Sequence, residues 1–417
     1  MQNPAPSSVR RILMCVSGMS PAVVTETLYA LVTQAQPFVP DEIHVVTTLN
    51  GRQQVLDALL TPETGHFHRL MREYLPGQAI RFDSGTVHVI GQTRPMAAPT
   101  NPWAQLMPDQ SPQFEEVELK DITTDADNQA AADTIYRVMR ELKAVPGTLL
   151  HASVAGGRKS MSFYMGHAFS LLAEPQDTLS HVLVSEPFEH PKLGFFYPPC
   201  TPVTLQWHDD KGSLVREVST AKAVVELAEL SVIKLGGLLG KDWPAKAQTS
   251  FDFAVRLAQA ALVPPEICVE LDWKEEKGYL KLCGERVVLP PQQFTVFALC
   301  ALARFHEDEL PDGAALVLEK LPSALWESLG KDFNAGRLSA ETRNFSPVRS
   351  KIQNALREVI GPVAAHFTIE VDGGKRKRPV KNHPVVFLNT PPACIRLVNL
   401  EGWWRQLKAV LGARVPV

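Results

Sequence analysis

Residues 151–161, HASVAGGRKSM, place two glycines, two cations and a helix start where they could hold an anion. The apolar run 147–154, which includes Ser153, reads as a strand. It closes on Gly156-Gly157, passes Arg158, Lys159 and Ser160, and enters an apolar-periodic stretch. Glycine lets backbone come close to a ligand, the free N–H groups and dipole of a helix start favour negative charge, and the two side chains add full charges. Phosphate is the natural ligand for such a loop. Taken alone, the pattern also fits a plain strand-to-helix turn followed by a solvated cation pair. It is not the phosphate loop of ATPases, because Arg158 precedes Lys159 and no glycine stands where that loop would begin.

A second loop of the same kind lies near the N-terminus. Residues 11–17, RILMCVS, are too continuously apolar for a half-exposed strand and predict a buried one. The run Gly18-Met19-Ser20-Pro21 follows, with Ser20 as the expected N-cap and Pro21 at the first helical position, ahead of a helix over 22–33. Residues 42–48, EIHVVTT, predict a second strand whose carboxyl end carries Thr48, Gly51 and Arg52. Strand, Gly/Ser loop and capped helix form the first unit of a Rossmann-like fold, which binds ligands at the carboxyl ends of its strands.

The elements that must position these loops are legible in outline. Residues 81–90 and 180–184 read as strands, 194–197 as a short one, and 125–142 and 161–172 as helices. Together they predict an α/β sheet of five or six strands with its loops at one edge. The Pro-rich run 97–112 shows no chemistry.

Composition bounds the function. The 417 residues suffice for two domains, and 45% hydrophobic and 21% charged residues with a net charge of −3 give no global attraction to nucleic acid. Any basic site is therefore local. Six scattered cysteines without a CxxC pair predict buried free thiols rather than zinc ligands or disulfides. No apolar run reaches membrane-spanning length and the N-terminus has no signal-peptide core, so the expectation is a cytoplasmic protein with no membrane partner, no cofactor and no metal.

Four segments in order, SGMSPAVVTETLYAL, EIHVVTT, SVAGGRKSM and QDTLSHVLVSEPFEHP, resemble the CRISPR-associated Rossmann-fold (CARF) family over roughly the first 200 residues, in the branch known as ring nucleases. The resemblance implies a homodimer that senses cyclic oligoadenylate, the messenger of type III CRISPR defence, in a pocket that in some members cleaves the ring.

After residue 200 the character changes. Residues 203–219 predict a hairpin, and 221–239 and 248–261 predict connector helices. From 267 the order strand, turn, strand, helix, with a later helix over 346–359 and a hairpin over 366–388, is similar to winged helix-turn-helix regulators. The expected organisation is thus an α/β Rossmann-like (CARF) domain over 1–205, a linker over 206–265 and an α+β winged-helix domain over 266–417. Residues 343–381 carry nine Lys or Arg against three acidic residues, a footprint for duplex DNA through Arg349, Lys351, Arg376 and Arg378. The same run also fits a solvated turn on a dimerisation module. Arg378 and His383 match the spacing of a HEPN-type RNase, but Pro379 places them in a hairpin rather than on a helix.

Within the resemblance, two subunits would grip the ring with identical loops. Gly18, Met19, Thr48, Arg52, Ser153, Gly156, Gly157 and Ser160 would contact ligand, and Arg158 would position phosphate. Lys159 would stabilise the charge that develops when a ribose 2′-OH attacks the adjacent phosphodiester, with Ser17 or Ser20 orienting the 2′-OH or the leaving group. Two functions stand open: a metal-independent ring nuclease, and a ligand-gated DNA-binding regulator that leaves the ring intact. A dinucleotide enzyme is disfavoured, because SGMSP stands where GxGxxG would.

Overall fold

A computed structural model describes residues 9–95, 114–209, 211–239, 247, 250–263, 265–310, 316, 318, 321–333, 345–372 and 385–412. The chain divides into two compact units, Met1–Leu238 with Thr249–Phe251, and Leu239–Gln248 with Asp252–Val417. No helix among the described residues is long and apolar enough to cross a membrane.

The strands of the first unit are β1 (Arg10–Val16), β2 (Glu42–Thr47), β3 (Val87–Val89), β4 (Gly91–Pro95), β5 (Phe114–Glu118), β6 (Thr148–Ser153), β7 (Thr178–Val184), β8 (Thr204–His208), β9 (Leu214–Ser219) and β10 (Val225–Glu229). Its helices are α1 (Ala22–Thr33), α2 (Leu49–Leu59), α3 (His66–Tyr74), α4 (Asp125–Lys143) and α5 (Lys159–Leu172); a short α6 (Gly236–Leu239) follows. Six strands form one sheet in the order β10-β7-β6-β1-β2-β3, parallel throughout except for β10. This mixed α/β architecture, with a parallel-rich sheet whose order reverses between β1 and β6, is consistent with a Rossmann-like fold. Register then does the positioning: Cys15 lies opposite Ser153 and Val16 opposite Val46, so the loops after β1, β2 and β6 leave the sheet at one level.

Sequence and packing agree for β1, whose last five residues are buried, as a strand covered on both faces requires. They part at residues 221–239, where strong helix formers predict a helix. Instead, Val225–Glu229 form β10, antiparallel to β7, followed by α6. Helix propensity is a weak preference, and the open edge of β7 offers a full ladder of hydrogen bonds that overrides it. Residues 194–197 are not a strand either. Phe195 and Tyr197 are buried, and the Phe196 carbonyl accepts from the Thr25 hydroxyl at 3.0 Å, which pins the segment to α1 by a side chain. Of 81–90 only β3 is strand. The hairpin over 203–219 forms as β8 and β9. All six cysteines are free; Cys15 and Cys300 are buried, whereas Cys200 is exposed, contrary to a uniformly buried set.

The second unit contains α7 (Phe251–Leu262) from Asp252 onward, then β11 (Ile267–Asp272), β12 (Lys277–Leu282), β13 (Glu285–Leu289), α8 (Pro291–Phe305), α9 (Ser323–Gly330), α10 (Phe345–Ile360), β14 (Ile369–Asp372), β15 (Val385–Leu388), β16 (Ile395–Val398) and α11 (Glu401–Gly412). Its sheet runs β13-β12-β11-β16, with β16 parallel to β11, while β14 and β15 pair separately. Phe294, Phe297, Trp326, Phe367 and Trp403 centre its core.

At the edge of the first sheet opposite the loops, one ion pair ties three elements together. Asp177 is fully buried, accepts from the Leu150 and Glu174 N–H groups at 2.8 Å each, and meets Lys143 Nζ at 2.8 Å. Lys143 also donates to the Thr148 carbonyl at 3.0 Å. Lys143 also pairs with the partly exposed Glu174 at 3.1 Å, so Asp177→Ala leaves the lysine one partner but strips the Leu150 and Glu174 N–H groups of theirs; stability is expected to fall by roughly 2–3 kcal/mol, read as a fall in the denaturant midpoint.

Candidate functional site

Three glycines bring the loops together. A Cβ at Gly18 would stand 3.1 Å from Gly157 Cα, and one at Gly51 would stand 2.9 Å from the Gly18 carbonyl oxygen and 2.0 Å from Thr47 Oγ1. The β1–α1 loop is therefore in backbone contact with both the β6–α5 loop and the start of α2. Gly156 and Gly157 have φ of +98° and +71°, which L side chains resist, and a Cβ at Gly156 would lie 2.9 Å from the Val16 carbonyl oxygen. Ser162, which the sequence reading passed over, holds the same loop from within α5, donating to the Val154 carbonyl at 2.7 Å.

The start of α5 is exposed at this edge. Arg158 is the N-cap of α5 and supplies no side-chain capping bond, so Lys159 and Ser160 occupy the first turn with N–H groups open to an anion. Lys159 is exposed and makes no ion pair among the described residues. At α1 the expected cap is corrected: Pro21, not Ser20, is the N-cap, and the helix begins at Ala22 without a side-chain cap. The cause is local, since Ser17 Oγ reaches the Ser20 carbonyl at 3.3 Å and folds the loop past the capping geometry. Ser20 is left exposed, with no hydrogen bond of its hydroxyl among the described residues. Met19 is 63% exposed.

Other candidates are taken up by the fold. Ser17 is fully buried, and its hydroxyl serves the loop carbonyls. Ser153 is buried, shares a 3.3 Å bond with Thr27 and accepts from the Ala155 N–H at 3.4 Å. Thr48 caps α2, accepting from the Gly51 N–H at 3.3 Å. Arg52 lies in the first turn of α2 with Nη1 3.9 Å from Glu118 and a buried, unbonded Nε. His151 is locked between Ser180 at 2.7 Å and Thr178 at 2.6 Å, and burial pushes its imidazole down to about 4. In the second unit, Arg349 is half-buried and Lys351 exposed on α10; Arg376 and Arg378 lie outside the described residues.

The sequence reading missed Asp121. Its carboxylate receives Arg158 in a fork, Nε to Oδ1 at 3.0 Å and Nη2 to Oδ2 at 2.5 Å, and this bond holds the Asp121 carboxyl below the usual carboxylate range. The available signal was its place just before the capping box Thr124–Asp127 of α4, which sets where that loop ends. The arrangement keeps one cation oriented by a partner and leaves the other free. No group of three or more His, Cys, Asp or Glu among the described residues is arranged to hold a metal ion.

Two outcomes follow from this geometry. Gly156→Ala forces a side chain into positive φ against a carbonyl and is expected to lower stability by about 1–3 kcal/mol, measurable by denaturation. Glu26, in the second turn of α1, is buried, and desolvation raises its carboxyl to about 7. Because the folded value lies above the unfolded one, its contribution is intact below about 4.5 and is lost as pH rises towards 7. Glu26→Gln should therefore melt higher than the parent at pH 8, by on the order of 3 kcal/mol, with the difference vanishing near pH 4.

Residues 20–98 and 110–263 match the family described as CRISPR-associated protein NE0113 (Cas_NE0113). No curated protein matches the chain. The match takes in α1, the loops after β2 and β6 and every strand of the six-stranded sheet except β1, and it covers more than half of the 417 residues, so this chain belongs to the CRISPR-associated NE0113 family.

Proposed function

We propose that the first unit is a CARF-type sensor which, as a homodimer, binds cyclic oligoadenylate, cyclic tetra-adenylate foremost, and cleaves it without a metal. One observation carries this reading: the glycine contact between the loops after β1 and β6 sets the uncapped start of α5, with Lys159, beside the uncapped start of α1, with Ser20. Membership of a CRISPR-associated family supports a messenger of that defence as ligand.

In the proposed step a ribose 2′-oxygen forms a bond to the adjacent phosphorus as the P–O5′ bond breaks. The 2′ proton passes to the departing 5′ oxygen, and no water is consumed. Two such events turn the ring into two di-adenylates, each with a 2′,3′-cyclic phosphate. Lys159 and the first N–H groups of α5 stabilise the charge on the phosphorane, and Arg158, steered by Asp121, positions a phosphate. Between the two serines, Ser20 is the one to orient the 2′-OH or leaving oxygen, since the Ser17 hydroxyl already serves the loop.

A second reading is a ligand-gated regulator. The order of β11–β13, α8, α9, α10 and the β14–β15 pair supports a winged helix-turn-helix-like second unit, with Arg349 and Lys351 on α10 available to a duplex backbone.

Incubation with cyclic tri-, tetra- and hexa-adenylate in EDTA, followed by chromatography, separates the two. Linear di-adenylate from the parent, reduced a hundredfold or more in Lys159→Ala and Ser20→Ala but less in Ser17→Ala, is the expected result. Tight binding of an intact ring would overturn the nuclease and favour the regulator.

A further inference from the structure

Phe163 lies one helical turn beyond Lys159 on α5 and is 64% exposed; no Phe, Tyr or Trp among the described residues is more exposed. Residues four apart on a helix have Cβ atoms roughly 5–6 Å apart, and helical side chains lean towards the preceding turn. The Phe163 ring therefore covers surface beside Lys159 rather than away from it. It is not loose: Tyr164 and His167 meet it edge-on, with centroids at 5.6 and 5.7 Å, and Tyr164 in turn accepts from Asn128 at 2.6 Å. Across the Gly18–Gly157 contact, the facing loop presents Met19, equally exposed.

An exposed, buttressed ring next to a free cation and an open helix start matches a ligand that joins an anion to a flat apolar group. A nucleotide has that form, with phosphate and base separated by one ribose. We propose that Phe163 is a stacking platform for one adenine base of the ligand, with Met19 as the apolar contact from the facing loop. The proposal rests on the cyclic-oligoadenylate reading of the site and adds base recognition to it. A phosphate grip alone accepts any cyclic oligonucleotide, whereas a platform beside it favours purines, which stack more strongly than pyrimidines.

The test is calorimetric binding of cyclic tetra-adenylate and cyclic tetra-uridylate to the full chain and to Phe163→Ala, Phe163→Leu and Phe163→Trp. Sedimentation of each variant without ligand accompanies it. The expected result is a loss of cyclic tetra-adenylate affinity of roughly five- to a hundredfold in the Ala and Leu variants, with the Trp variant close to the parent and the smaller uridylate affinity little changed. Full affinity in Phe163→Leu would reduce the ring to a generic apolar contact and overturn the platform. Loss of self-association in Phe163→Ala without ligand would assign the ring to a second copy of the chain and overturn it equally. Failure of the parent to bind either ring removes the cyclic-oligoadenylate reading and the platform together, whereas binding that ignores Phe163 removes the platform alone.

Discussion

The close approach of Gly18 to Gly157 is the constraint on which the site depends. Parallel strands deliver three loops to one level of the sheet, but level ends alone leave helix starts separated by the width of their side chains. With no Cβ at Gly18, Gly51 and Gly156, backbone packs on backbone, and the starts of α1, α2 and α5 converge. Each helix start carries a partial positive charge that fades within a turn, so convergence is what lets several act on one anion. Ser17 and Ser162 then fasten the loops from inside, each bonding to loop carbonyls.

Charge at this edge is local and ordered. The chain as a whole is slightly acidic, so attraction of an anionic ligand depends on the few groups at the loop. Arg158 and Lys159 are neighbours in sequence but differ in circumstance. Asp121 holds the guanidinium in a fixed fork, while Lys159 has no counter-ion among the described residues. A pair with one tethered and one free cation can orient a ligand with the first and respond to developing charge with the second.

Much of this was legible in the sequence because the signals were local. Gly156-Gly157 ahead of Arg158-Lys159, and the buried run before Ser17, fix strand ends and helix starts within a few residues. What escaped was set by distant partners. Residues 221–239 have the composition of a helix, but the open edge of β7 makes a strand of Val225–Glu229. Asp121 sits 37 positions from Arg158, and no spacing rule joins them. The loop was readable where its own residues shaped it, and unreadable where another element did.

Neither His151 nor Glu26 is presented to the loop, and this bears on how the site could work. His151, two residues before Ser153, is the nearest histidine in sequence, but hydroxyls occupy both ring nitrogens and burial keeps it neutral. Glu26 has a carboxyl raised towards neutrality, but by the dry interior that surrounds it rather than by a partner. Under the proposed reading, catalysis then rests on alignment and on charge at the phosphorane, both supplied by backbone N–H groups, a lysine and an arginine. Rate by alignment alone is modest, and it rises or falls with the rigidity of the loops. The glycine contact would thus govern speed as well as binding, since any loosening of Gly18 against Gly157 moves Lys159 relative to the reacting phosphate.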